Sequence, residues 1–137
     1  MNMNTILRFL MLFVLVLSIG CSKGNSVTGK VTLSDGTPLT RGEVTFSTPT
    51  FVAAGMIQSD GIYSIRANNM KEGIPTGTYS VTVKAYEDIQ ENPDGAMENL
   101  KPAKSLIDTK YTSPATSGLT CEVNGSITFN ISVEPFK

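Results

Sequence analysis

From residue 27 onward, apolar and polar side chains alternate with a period of two, the spacing that places successive residues on opposite faces of a strand. Val27, Gly29, Val31 and Leu33 share one face of a first predicted strand, and Thr28, Lys30 and Thr32 the other. Val44 and Phe46 repeat the pattern, residues 51–58 form a less regular third strand, and Tyr63 and Ile65 point inward from a fourth. Tyr79, Val81, Val83 and Ala85 make the strongest alternation, and residues 119–123 and 127–133 supply the last two strands. No segment of this pattern has helical periodicity. Asn124-Gly125 between the last two runs predicts an antiparallel hairpin with a type I′ turn, which needs positive φ at both central residues. Asp35-Gly36 and Asp60-Gly61 mark turns with positive φ at the glycines, and Pro75 with Gly77 opens the long strand. Seven short strands, each with one apolar face, predict an all-β fold: two sheets packed as an antiparallel Greek-key sandwich.

Residues 87–116 break the alternation. Glu87, Asp88, Glu91, Asp94 and Glu98 place five of the twelve acidic residues within twelve positions, with a turn at Pro93-Asp94-Gly95 and a short helix near residues 95–100. A long acidic loop is expected here, and loops of this length in compact domains tend to carry function.

The amino-terminal segment follows different rules. Arg8 is followed by an unbroken apolar run at residues 9–17, then by Ser18-Ile19-Gly20 and Cys21. That order is similar to a bacterial lipoprotein signal, although Ser18 stands where leucine is commonest. In such proteins the signal is cut before the cysteine, which carries a diacylglyceryl group. The expected organisation is a signal peptide at residues 1–20, a lipid-anchored tether at 21–25 and a sandwich domain at 26–137. Nine apolar residues are too few for a spanning helix, which needs about 20. Ser22 after the cysteine is compatible with export to the outer membrane.

With Arg8 removed, ten basic residues face twelve acidic ones, which gives no general attraction to nucleic acid. The chain has no histidine and no tryptophan, which removes Ser-His-Asp and Cys-His catalysis and histidine metal sites. A lipid on Cys21 leaves Cys121 without a partner; alternation puts it on the face of Leu119 and Val123, as a buried inert thiol.

Residues 29–46 (GKVTLSDGTPLTRGEVTF), 59–65 (SDGIYSI) and 74–83 (IPTGTYSVTV) resemble the Gly-x-Val, Gly-x-Pro-Leu, Asp-Gly-x-Tyr and Pro-x-Gly-x-Tyr-x-Val-x-Val elements of carboxypeptidase regulatory-like, or transthyretin-like, domains. Residues 110–119 (KYTSPATSGL) resemble a segment of small planctomycete-like lipoproteins, with Asp108 where that group often has proline. The resemblance implies a seven-stranded prealbumin-like sandwich. Tyr63 and Tyr79 read as core aromatics whose hydroxyls reach backbone partners.

Function classes follow. The leading expectation is a non-catalytic, lipid-anchored envelope protein for surface adhesion, envelope architecture or accessory binding. Its partners would be the membrane, through Cys21, and an envelope protein or polysaccharide. An alternative is a calcium- or carbohydrate-binding module using residues 87–116. Glu87, Asp88, Glu91, Asp94 and Glu98 are the candidate oxygen ligands, at a spacing that does not match an EF-hand, and Tyr86 and Tyr111 the available aromatics. The transthyretin-like hydrolases use histidines and a terminal Tyr-Arg-Gly-Ser that this chain lacks. A carboxylate pair acting on a glycoside would have no rigid scaffold in the acidic loop. No cofactor is expected. Asn124-Gly-Ser and Asn130-Ile-Ser match the glycosylation pattern but read as a turn and as the polar face of a strand. Lys30 and Lys84 are placed to blunt exposed strand edges.

Overall fold

A computed structural model describes residues 24–66, 73–88 and 102–137. They fold into an all-β, two-sheet sandwich. One sheet contains β1 (Val27–Leu33) at its centre, with β4 (Ile62–Ile65) on one side and β7 (Ile127–Thr128) and β8 (Ile131–Val133) on the other. The second runs in the order β3 (Val52–Met56), β2 (Glu43–Ser47), β5 (Gly77–Lys84), β6 (Leu119–Val123). The chain changes sheet after β1, β3, β4 and β6, so four crossover connections join the two sheets.

The alternation works because each strand has one face to bury. Val27, Val31, Val44, Phe46, Tyr63, Ile65, Tyr79, Val81 and Val83 are all buried between the sheets. Phe46 lies at the centre of this layer: its ring is 6.4 Å from Tyr63, 6.1 Å from Tyr79 and 6.1 Å from Phe129. Each such side chain contributes about 1.5–3 kcal/mol by leaving water. Gly36 (φ 89°) and Gly61 (φ 84°) take the positive φ expected of them. Their aspartates close the turns: Asp35 accepts from the Thr37 amide at 2.8 Å, and Asp60 from the Ile62 amide at 3.0 Å.

Three expectations are corrected. Asn124-Gly125 does not close a hairpin. β6 pairs antiparallel with β5, while β7 and β8 pair parallel with β1 in the other sheet. Only Gly125 (φ 105°) has positive φ, so the turn is not type I′. Second, the seventh predicted strand is interrupted at Phe129 and Asn130, giving eight strands among the described residues. Third, Lys30 and Lys84 stand on β1 and β5, which are paired on both sides, so neither guards an edge. An open edge belongs to β3, where Val52 and Met56 are exposed.

The interruption has a local cause. In a regular parallel ladder, the Lys30 amide would donate to the Phe129 carbonyl opposite. Here that carbonyl is turned across Gly29 and accepts from the Tyr63 hydroxyl at 2.5 Å. A Cβ on Gly29 would stand 1.9 Å from the same oxygen, so only glycine fits. The Lys30 amide is satisfied instead by the Asn130 side-chain oxygen at 3.0 Å. Asn130 therefore replaces a missing rung of the ladder rather than simply decorating a polar face.

The described part of the segment expected to be a loop is folded. Residues 104–107 lie between the continuation of β5 and that of β8. The Glu87 amide donates to Lys104, the Leu106 amide to Ala85 and the Phe136 amide to Leu106. A 3-10 helix follows at Thr109–Thr112, with Asp108 as its cap. Ile107 and Tyr111 join the core, so this segment closes one end of the sandwich.

Candidate functional site

The strands place the loops at two ends. At one lie the start of β1, the end of β4 with Arg66, and residues 48–51, 73–76 and 124–126. They are tied together where the Ile74 amide donates to the Asn25 carbonyl at 2.9 Å and the Ser26 amide to Ser126 Oγ at 3.2 Å. At the other end lie residues 34–42, 57–61, 85–88, 102–116 and the carboxy terminus, where most of the charge collects.

Some charged side chains at this second end are paired. Arg41 forms an ion pair with Asp88, and the hydrogen bond it donates to that carboxylate raises the guanidinium pKa. Lys110 Nζ is 2.8 Å from Glu134 and 5.0 Å from the centre of the Tyr111 ring. The hydrogen bond to Glu134 is the main cause of its raised pKa. The Thr37 amide holds the Asp35 carboxyl below its ordinary value. All are solvent-exposed, where screening keeps such pairs weak. They fix loop positions more than they stabilise the fold.

Of the candidate oxygen ligands, Glu87 and Asp88 continue from β5, and Asp88 is engaged by Arg41. Glu91, Asp94 and Glu98, the turn at Pro93-Asp94-Gly95 and the helix expected near residues 95–100 lie outside the described residues, as does Cys21. Among the described residues, no three Asp, Glu or Cys side chains converge as a metal-binding group. No helix among them is long and apolar enough to cross a membrane. Tyr86 is exposed, but Tyr111 is buried and accepts a 3.4 Å hydrogen bond from the Glu134 amide, so it is not an available aromatic platform.

The buried reactive groups are likewise committed. Tyr63 and Tyr79 donate to the carbonyls of Phe129 and Pro75, at 2.5 and 2.7 Å. Cys121 is 4% exposed, and burial pushes its thiol pKa up, away from the thiolate needed for nucleophilic chemistry. Sequence reading missed the Arg41–Asp88 and Lys110–Glu134 pairs, since isolated charges in separate loops carry no local sign of their partners. Compared with known proteins, the chain matches no family model and no curated relative.

Proposed function

We propose that this chain is a non-catalytic β-sandwich module of the bacterial cell envelope, anchored through lipid on Cys21 in the outer membrane. It would serve surface adhesion, envelope architecture or accessory binding to an envelope protein or polysaccharide. The observation that carries the reading is the order Arg8, apolar run, Ser18-Ile19-Gly20-Cys21, set only four residues before Asn25, where the sandwich is already tied down. The commitments of Tyr63, Tyr79, Asp88, Lys110 and Cys121 described above favour a binding role over a catalytic one. Intact mass and detergent-phase partitioning of natively expressed protein, beside a Cys21→Ala variant, test the anchor. The wild type should lack residues 1–20, carry acyl mass and enter detergent, and the variant should do neither of the last two. A wild type without acyl mass refutes the reading. Cross-linking in intact cells should then recover a reproducible envelope partner.

A further inference from the structure

We infer that the end of the sandwich carrying the start of β1 rests on the headgroup surface of the membrane that holds the anchor, leaving the charged end directed outward. This rests on the proposed lipidation of Cys21. Three residue steps separate Cys21 from Gly24, so the acylated residue lies at most about 11 Å from the described fold. The tether has little slack at its folded end: Asn25 is bridged to Gly73 and its side chain donates to Thr76 Oγ1 at 3.4 Å, while Ser26 is bonded to Ser126. β1 then runs away from that point for seven residues, about 23 Å. A tether shorter than the strand cannot bring the far end down to the bilayer.

The chemistry of the two ends agrees with that placement. Residues 24–26, 48–51, 66, 73–76 and 124–126 lie near the tether, and Arg66, which follows Ile65 opposite Val27, is the one charged side chain among these fifteen described residues. The other fourteen offer no ion to desolvate, their hydroxyls, amides and backbone can approach phosphate and ester oxygens, and the exposed Arg66 guanidinium can pair with a phosphate. Residues 34–42, 57–61, 85–88, 102–110 and 134–137, at the opposite end, hold six acidic and four basic side chains. An anionic leaflet repels that net negative charge and adds one weak attraction, at Arg66, to the tether end. Lys71 and Glu72, in the chain linking Arg66 to Gly73, lie outside the described residues.

The test uses lipidated protein in vesicles, with a fluorophore on single introduced cysteines: Thr50→Cys and Asn124→Cys near the tether, Ser34→Cys at the far end. All three positions are exposed, and buried Cys121 takes no label in the folded protein. Iodide should quench the Thr50 and Asn124 probes several-fold less than the Ser34 probe. The ranking should be the same in phosphatidylcholine vesicles and in vesicles containing phosphatidylglycerol. In the same proteins carrying Cys21→Ala, free in solution, the difference should vanish. Equal quenching at both ends of a protein that carries acyl mass and floats with vesicles overturns the orientation and leaves the anchor standing. Protection seen only with anionic lipid overturns it too, since docking would then be driven by charge. Absence of acyl mass and flotation removes the anchor and the orientation together.

Discussion

Tyr63→Phe deletes one hydroxyl and little else, which makes it a clean probe of the break between β7 and β8. The ring remains packed near Phe46, but the Phe129 carbonyl loses its donor. An unsatisfied acceptor at a part-buried site costs about 1–3 kcal/mol. For a domain of this size, that is a fall in Tm of roughly 4–12 °C. Asn130→Ala frees the Lys30 amide at a place water can reach, so its cost is smaller, about 0.5–1.5 kcal/mol. The informative quantity is the double variant. Without the Tyr63 hydroxyl, the carbonyl is free to return to the ladder and accept from Lys30, which then no longer needs Asn130. The combined loss should fall short of the sum of the two single losses by about 1 kcal/mol, within the range found for residues sharing a network. Urea denaturation of the wild type, both single variants and the double variant, with a common m-value, measures this directly. Strict additivity to within about 0.5 kcal/mol, or a neutral Tyr63→Phe, refutes the account of the turned carbonyl.

Other consequences are simpler to check. Gly29→Ala forces the Phe129 carbonyl out of place and should cost about 3 kcal/mol or more, read by the same denaturation. Burial raises the Tyr63 pKa above its ordinary value of about 10, so the stability it confers is complete below that pH and is lost as pH rises through the folded value; Tyr63→Phe should flatten the alkaline limb of a stability–pH profile. Cys121, buried and with its pKa raised, should react with a thiol reagent far more slowly in the folded chain than in denaturant; equal rates would contradict its placement.

What could be read from the sequence was whatever is written locally. β1, β2 and β4 each bury one face more than the other, and β5 does so apart from its buried Thr82, so a period of two identified Val31, Phe46, Tyr63 and Val81 as core before any pairing was known. The Asn124-Gly125 expectation failed because a turn signal reports what two residues tolerate, not which strands pair. β6 forms a five-residue register with β5, and Ile127 is aligned with Val27, a hundred positions away. No local preference encodes that choice. Ile107 and Tyr111 were missed for a related reason: each is an isolated apolar residue in a polar stretch, and their burial follows from 104–107 lodging between the two sheets. The role of Asn130 was hidden because it compensates for a carbonyl turned by Tyr63, on another strand.

The candidate site divides along the same line. A processing signal is recognised as contiguous chain, so Arg8, the apolar run and Cys21 express their whole chemistry in sequence order. A partner instead meets a surface assembled by folding. At the charged end, Asp35, Asp60, Asp88 and Glu134 come from four separate loops, and each belongs to a pattern only once the sheets have placed it. Its specificity is also a relation to a second surface, and the chain writes only one half of that relation. Under the proposed orientation, the two ends are separable by perturbation. A charge reversal such as Asp60→Lys, on an exposed turn facing away from the bilayer, should alter capture of an envelope partner without changing flotation with vesicles. Thr50→Glu, at the tether end, should instead weaken contact with anionic vesicles and leave partner capture intact. That pair of changes assigns each end of the sandwich its own task, which neither residue's sequence context does.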